Sequence, residues 1–97
     1  MADQHAQLMK GRPVADAVLA RVTAAAAQLE RPPRLVFLRV GEDPASASYV
    51  RSKERSALQT GIDASTTVLP EGTSQAELES LLRALSADHA VDGILLQ

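Results

Sequence analysis

Hydrophobic and polar positions follow three cycles along this chain, each with a helical period and then a short apolar run. In the first cycle, apolar side chains recur three or four positions apart, which is the spacing of one helix face; they are Val14, Val18, Val22, Ala25, Ala26 and Leu29. Gly11-Arg12-Pro13 opens this helix, because proline suits the first turn. Pro32-Pro33 ends it. We expect the helix to be a structural cover for a sheet.

The second cycle begins with an apolar run at Leu35–Leu38, which is typical of a strand buried between helices. Gly41 and Pro44 predict a turn, and a helix follows from about Ala45 to near Gly61. The helix is expected to turn Val50, Ala57 and Leu58 toward the core. The charged residues Arg51, Glu54 and Arg55 are expected to face water as a solvated cluster.

The third cycle starts with a predicted strand at 62–69, nearer an edge of the sheet. Ser74 and Glu77 have the spacing of a capping box. They precede an amphipathic helix marked by Leu78, Leu81, Leu82 and Leu85. A last strand is predicted at 92–97 and is expected to be buried. It stops without a closing turn or helix, so we expect the chain to be a piece of something longer.

The resulting order, α-β-α-β-α-β, predicts an α/β fold. Strands that alternate with helices form parallel pairs through right-handed crossovers. The predicted architecture is therefore three-layered, with a mostly parallel sheet and helices on both faces.

Composition excludes several classes of function. The net charge is −2 and the ten basic residues are scattered, with one Tyr, one Phe and no Trp, so no nucleic-acid surface is indicated. Cysteine is absent, and His5 and His89 lack ligand spacing, so no metal site is predicted. No apolar run approaches the roughly 20 residues of a membrane span, and the N-terminus lacks a signal core. An intracellular, cytoplasmic protein is the default expectation.

The residues with the most chemical potential follow the turn at Gly41. Tyr49 and Lys53 are four positions apart, which places them on one helix face. Ligands of open α/β sheets usually bind at such strand-to-helix turns. Lysine occurs only at positions 10 and 53, and unlike arginine it can transfer a proton. The alternatives are a solvated helix lysine and a half-buried tyrosine whose hydroxyl lies in water.

Gln97 stands at the end of the last strand, where a parallel sheet would bring its side chain toward the same place. Its amide oxygen could accept a hydrogen bond from the Lys53 ammonium, or it could be an ordinary polar residue at a strand end. Glu42 and Asp43 are expected to be turn residues. Neither a glycine-rich dinucleotide fingerprint nor a P-loop occurs, so we predict no nucleotide site in this chain.

Two segments resemble the signatures of bifunctional methylenetetrahydrofolate dehydrogenase/methenyltetrahydrofolate cyclohydrolases. The first is Val40-Gly41-x-x-Pro44-Ala45-Ser46-x-x-Tyr49-Val50-x-x-Lys53, followed by Gly61-Ile62. The second is Val91-Asp92-Gly93-Ile94-Leu95-Leu96-Gln97, which in the family continues into Leu-Pro-Leu-Pro. Gly11-Arg12-x-Val14-Ala15 also resembles the first helix of that family.

This resemblance implies a catalytic lysine at Lys53, with Tyr49 as its partner and as the ring that stacks on the folate. It implies that Gln97 orients the lysine and that Leu96 joins these residues in substrate binding. The family oxidises 5,10-methylenetetrahydrofolate with NADP to the methenyl cation, then adds water to give 10-formyltetrahydrofolate. A homodimer is implied for the intact enzyme.

By the same resemblance, residues 1–97 form an incomplete N-terminal catalytic, folate-binding domain. The NADP-binding Rossmann domain of the parent is absent, so the chain alone is expected to be inactive. Lys10 and Arg39 depart from the family pattern, and sequence gives no account of Arg39. The alternative function is a non-catalytic α/β module that binds a partner through its helix faces, with Tyr49 and Lys53 incidental.

Overall fold

A computed structural model describes residues 5–97 as three helices alternating with three strands. The elements are α1 (Gly11–Ala26), β1 (Arg34–Val40), α2 (Pro44–Gln59), β2 (Asp63–Leu69), α3 (Gln75–Ala87) and β3 (Gly93–Leu96). The predicted order is confirmed. The first helix ends at Ala26, before the proline pair, whereas α2 ends as predicted near Gly61, whose φ of 86° closes the helix.

The three strands form one parallel sheet in the order β2-β1-β3. The chain moves from β1 to β2 in one direction and from β2 across to β3 in the other. Right-handed crossovers therefore place α2 and α3 on opposite faces of the sheet. This is the predicted α/β architecture, and β2 lies at an edge as expected.

The core of the described residues is aliphatic and centred on β1. Val36, Phe37 and Leu38 are buried there, and Val50 and Ala57 of α2 are buried as well. Leu58 was expected in this core but is 56% exposed, because it lies on the outer side of α2. The last strand was predicted to be buried, but β3 is half-buried because it has only one neighbouring strand in residues 5–97.

The prediction that α1 covers the sheet is wrong for the described residues. None of its residues is buried, and the predicted stripe leaves Val14 and Val18 exposed. Instead α1 lies beside α2, where residues around Leu19 face Ser52 and Ser56 across a shallow cavity. The end of the stripe, at Ala26 and Leu29, faces the end of α2 across a second cavity, whereas its first residues are left exposed.

Candidate active site

The turn between β1 and α2 is fixed by backbone geometry and by one carboxylate. Gly41 has a φ of 80°, a left-handed conformation that favours glycine, and its N–H donates to the Leu69 carbonyl at 2.9 Å. Asp43 caps α2 by accepting hydrogen bonds from the Ser46 N–H at 3.3 Å and its hydroxyl at 3.1 Å. Pro44 occupies the first turn. The predicted turn and the structural part played by Asp43 are confirmed.

Lys53 and Gln97 meet as predicted. The Gln97 N–H donates to the Leu38 carbonyl at 2.8 Å, which extends the β1–β3 register past the end of β3. Its side-chain Oε1 then accepts a 2.8 Å hydrogen bond from Lys53 Nζ. The arrangement joins the middle of α2 to the end of the third strand.

Tyr49 lies one turn before Lys53 on α2, and its side chain is 62% exposed. Its hydroxyl has no hydrogen-bond partner within residues 5–97, so both the ring face and the hydroxyl are available to a ligand. Leu96, the other predicted binding residue, is also exposed. Five surface cavities of the described chain are lined by other residues. The described residues therefore give this site an open surface rather than an enclosed pocket.

Glu54 corrects the sequence interpretation of α2. It was expected to face water with Arg51 and Arg55, but it is half-buried and turned toward the sheet. Its Oε2 accepts a 2.6 Å hydrogen bond from the Thr66 hydroxyl of β2. Thr66 pairs with buried Phe37 in register, so the two residues share the α2 side of the sheet, and no signal in the sequence alone indicates this register.

Arg39 also lies on the α2 side of the sheet, because it follows Phe37 by two positions on β1. It is 9% exposed, and its guanidinium donates a 2.8 Å hydrogen bond to the Gly41 carbonyl. Glu42 lies 3.8 Å away, while Nε is buried without a partner among the described residues. Arg39 thus braces the turn that leads into α2, a part that sequence reasoning did not foresee.

Asp92 fixes the start of β3, and sequence reasoning missed this too. Its carboxylate accepts two hydrogen bonds from Arg31, at 2.7 and 3.0 Å, and one from the Arg34 N–H at 2.8 Å. The Arg31 guanidinium and then the Arg34 N–H hold the pKa of Asp92 below its usual range, and the same carboxylate raises the pKa of Arg31. Asp92 therefore sets the β1–β3 register that delivers Gln97 to Lys53.

Among residues 5–97, no helix is both long and apolar enough to cross a membrane. No three carboxylate or imidazole side chains in the range lie together as a metal site.

A family model for the catalytic domain of tetrahydrofolate dehydrogenase/cyclohydrolase matches residues 9–97. The bifunctional protein FolD of Acidiphilium cryptum is 50% identical over 92 residues, which is 95% of this chain and 33% of that protein. FolD of Xanthomonas axonopodis pv. citri is 44% identical over 100 residues, covering 99% of this chain and 33% of the relative. The chain spans about a third of the length of these relatives.

Solved structures agree with these matches. A 5,10-methylenetetrahydrofolate dehydrogenase from the silkworm Bombyx mori superposes with a TM-score of 0.90 at 34% identity. A Trypanosoma brucei FolD, complexed with NADP cofactor and inhibitor, superposes with a TM-score of 0.87 at 31% identity. The superpositions cover 96% and 95% of this chain and 33% of each solved chain.

Proposed function

This chain belongs to the tetrahydrofolate dehydrogenase/cyclohydrolase catalytic-domain family, and from that premise we propose that it is the N-terminal part of the folate-binding catalytic domain of a longer bifunctional enzyme. The complete protein oxidises 5,10-methylenetetrahydrofolate to the 5,10-methenyl cation with NADP. It then hydrolyses that cation to 10-formyltetrahydrofolate. The family description names both activities, and the relatives are called bifunctional, which supports this proposal.

The observation that carries the proposal is the hydrogen bond of 2.8 Å between Lys53 Nζ and Gln97 Oε1. A flexible lysine on an open surface gains a defined position from this contact. Tyr49 adds an exposed aromatic face on the same side of α2. If the chain were only a partner-binding module with an incidental Lys53, that lysine would need neither the hydrogen bond to Gln97 nor the nearby Tyr49 ring.

Proton transfer by Lys53 accounts for the hydrolytic step. A water oxygen adds to the methenyl carbon, and the neutral Lys53 amine takes the proton that this water loses. A cationic substrate nearby favours the neutral amine over the ammonium. The bond from that carbon to one folate nitrogen then breaks as Lys53 returns the proton to the nitrogen. The hydroxyl on the carbon loses its remaining proton to solvent, which leaves the formyl group and releases one proton overall. Gln97 holds the lysine by accepting a hydrogen bond in either state.

Tyr49 supplies binding rather than proton transfer in this scheme. A tyrosine ring attracts both a flat heterocycle and a cation placed over its face. Its place one turn before Lys53 would put a stacked folate within reach of the amine. The family resemblance assigns apolar contact with the substrate to Leu96, which is exposed at the end of β3.

The turn at the start of α2 does not suit the pyrophosphate of NADP. A pyrophosphate binds best at a helix start with free N–H groups, but the α2 start is capped by the Asp43 carboxylate, and Glu42 is exposed next to it. Both would repel a phosphate. We therefore assign NADP binding to the rest of the complete protein, and the 97-residue chain should not bind NADP in a calorimetric titration.

The complete protein should show both activities in one preparation. Added 5,10-methylenetetrahydrofolate should reduce NADP, and added 5,10-methenyltetrahydrofolate should be hydrolysed without NADP. Loss of absorbance of the methenyl compound measures the second activity directly. A complete protein with neither activity would support the partner-binding alternative.

A cytoplasmic homodimer is the assembly we propose for the complete protein, on the strength of the family resemblance. An exposed apolar face on α1 and half-buried β3 are surfaces that further packing would cover. Light scattering of the complete protein tests the dimer, and a monomer at micromolar concentration would contradict it.

A further inference from the structure

The α2 helix is tied to the sheet on both sides of β1 by two consecutive residues. Lys53 reaches Gln97, which follows β3, while Glu54 reaches Thr66 of β2. Because β1 lies between β2 and β3, these two contacts pull toward opposite edges of the sheet. Consecutive helical residues project about 100° apart, so the two contacts together define how α2 is rotated about its axis.

We propose that the Glu54–Thr66 hydrogen bond is a positioning contact for Lys53, holding α2 in the rotation that keeps the Lys53 ammonium on Gln97. The inference rests on the proposed function only in giving Lys53 a catalytic part. Neither Glu54 nor Thr66 is expected to touch the substrate.

The chemistry of the pair suits this part. A hydroxyl that donates to a carboxylate makes a charge-assisted hydrogen bond, which is shorter and stronger than a neutral one, and the observed 2.6 Å is in that range. Both side chains are half-buried, so water competes less for the contact than it would at an exposed pair. Lys53 and Gln97 are exposed, and so their own contact is the weaker constraint on α2.

Lysine acetylation measured by mass spectrometry tests the proposal on the 97-residue chain without any activity assay. Lys10 and Lys53 are the only lysines, and exposed Lys10 serves as an internal reference. The measured quantity is the ratio of the Lys53 rate to the Lys10 rate. Gln97→Ala should raise that ratio roughly two- to tenfold, which is the net value of one hydrogen bond.

Thr66→Val should raise the ratio toward the value given by Gln97→Ala, whereas Thr66→Ser keeps a hydroxyl and should restore the wild-type ratio. Thr60→Val is the matched control, because the Thr60 hydroxyl at the end of α2 donates to the Ser56 and Ala57 carbonyls of the same helix and to no residue of β2 among the described hydrogen bonds. It should destabilise α2 yet leave the ratio unchanged.

A wild-type ratio in Thr66→Val would overturn the positioning proposal, and so would an equal rise in Thr60→Val, since a general loosening of α2 would then explain both. An unchanged ratio in Gln97→Ala would also overturn it, because Lys53 would then not be held. None of these results depends on turnover, so loss of the proposed enzyme activity would be detected separately, in the complete protein.

Discussion

Lys53 and Gln97 are 44 positions apart, yet their side chains share a hydrogen bond of 2.8 Å. The contact exists because β3 runs parallel to β1 and ends beside it, while α2 runs back along one face of the sheet. One end of the contact is therefore positioned by a helix and the other by a strand register. Rigid elements of this kind hold a reactive group more precisely than loops do.

Gln97→Glu in the complete protein should lower cyclohydrolase kcat by at least about tenfold. A carboxylate beside Lys53 stabilises the ammonium and so opposes the neutral amine that accepts the proton. Gln97→Asn, which keeps the amide on a shorter side chain, is the comparison variant and should lose less. A kcat for Gln97→Glu equal to that of the wild type would show that the charge state of Lys53 does not limit hydrolysis.

Arg39→Leu should leave the 97-residue chain equally stable or more stable. The Nε of the buried guanidinium has no hydrogen-bond partner among the described residues, and an unpaired buried donor typically lowers the free energy of unfolding by about 1–3 kcal/mol. Apolar replacements of buried charged groups are often neutral or stabilising. Thermal unfolding followed by circular dichroism measures the change, with Arg83→Leu on the exposed side of α3 as control. If Arg39→Leu lowered the free energy of unfolding by more than about 2 kcal/mol, the hydrogen bond to the Gly41 carbonyl would outweigh the cost of the unpaired Nε.

Asp92 should make the stability of the chain depend on acid pH. Its pKa in the folded state lies below the ordinary 3.8 because Arg31 and the Arg34 N–H bind the carboxylate. The stabilisation is therefore present above about pH 4 and is lost as the pH falls through the folded pKa. Arg31 stays charged across this window.

Melting temperatures of the wild type and Asp92→Asn, compared from pH 7 to pH 2, measure this contribution. The difference between the two proteins should be constant near neutrality and shrink below pH 4. A difference that persists unchanged at pH 2 would mean that the carboxylate charge contributes nothing and that the neutral side chain suffices.

The order of the elements could be predicted from the hydrophobic periodicity of the sequence. The Tyr49–Lys53–Gln97 arrangement could be predicted from helix spacing together with the parallel order of the strands. A spacing of four fixes two residues on one helix face, and parallel strands end at the same edge. Which face of α2 meets the sheet could not be fixed in the same way. Glu54 was assigned to water by its charge, but its hydrogen bond to Thr66 comes from a strand register invisible in a single sequence.

The first helix shows the opposite limit. Periodicity correctly predicts an apolar face on this helix, but it does not indicate which element covers that face. Arg39 has no explanation in the sequence, because the group that accepts its hydrogen bond is the backbone carbonyl of Gly41, and the direction of that carbonyl depends on the conformation of the turn. Glu54 was missed because its partner lies on another element, and Arg39 because its partner is a backbone carbonyl of the adjacent turn.

Single-turnover hydrolysis of 5,10-methenyltetrahydrofolate by the complete protein tests the central claim most directly, with Lys53→Met compared against Lys10→Met. Methionine keeps side-chain bulk but cannot carry a proton, and general acid–base groups typically contribute about 100- to 10,000-fold. The account predicts a loss in that range for Lys53→Met, unchanged hydrolysis for Lys10→Met, and NADP binding intact in both. Near-normal hydrolysis by Lys53→Met would contradict it and remove Lys53 from the mechanism.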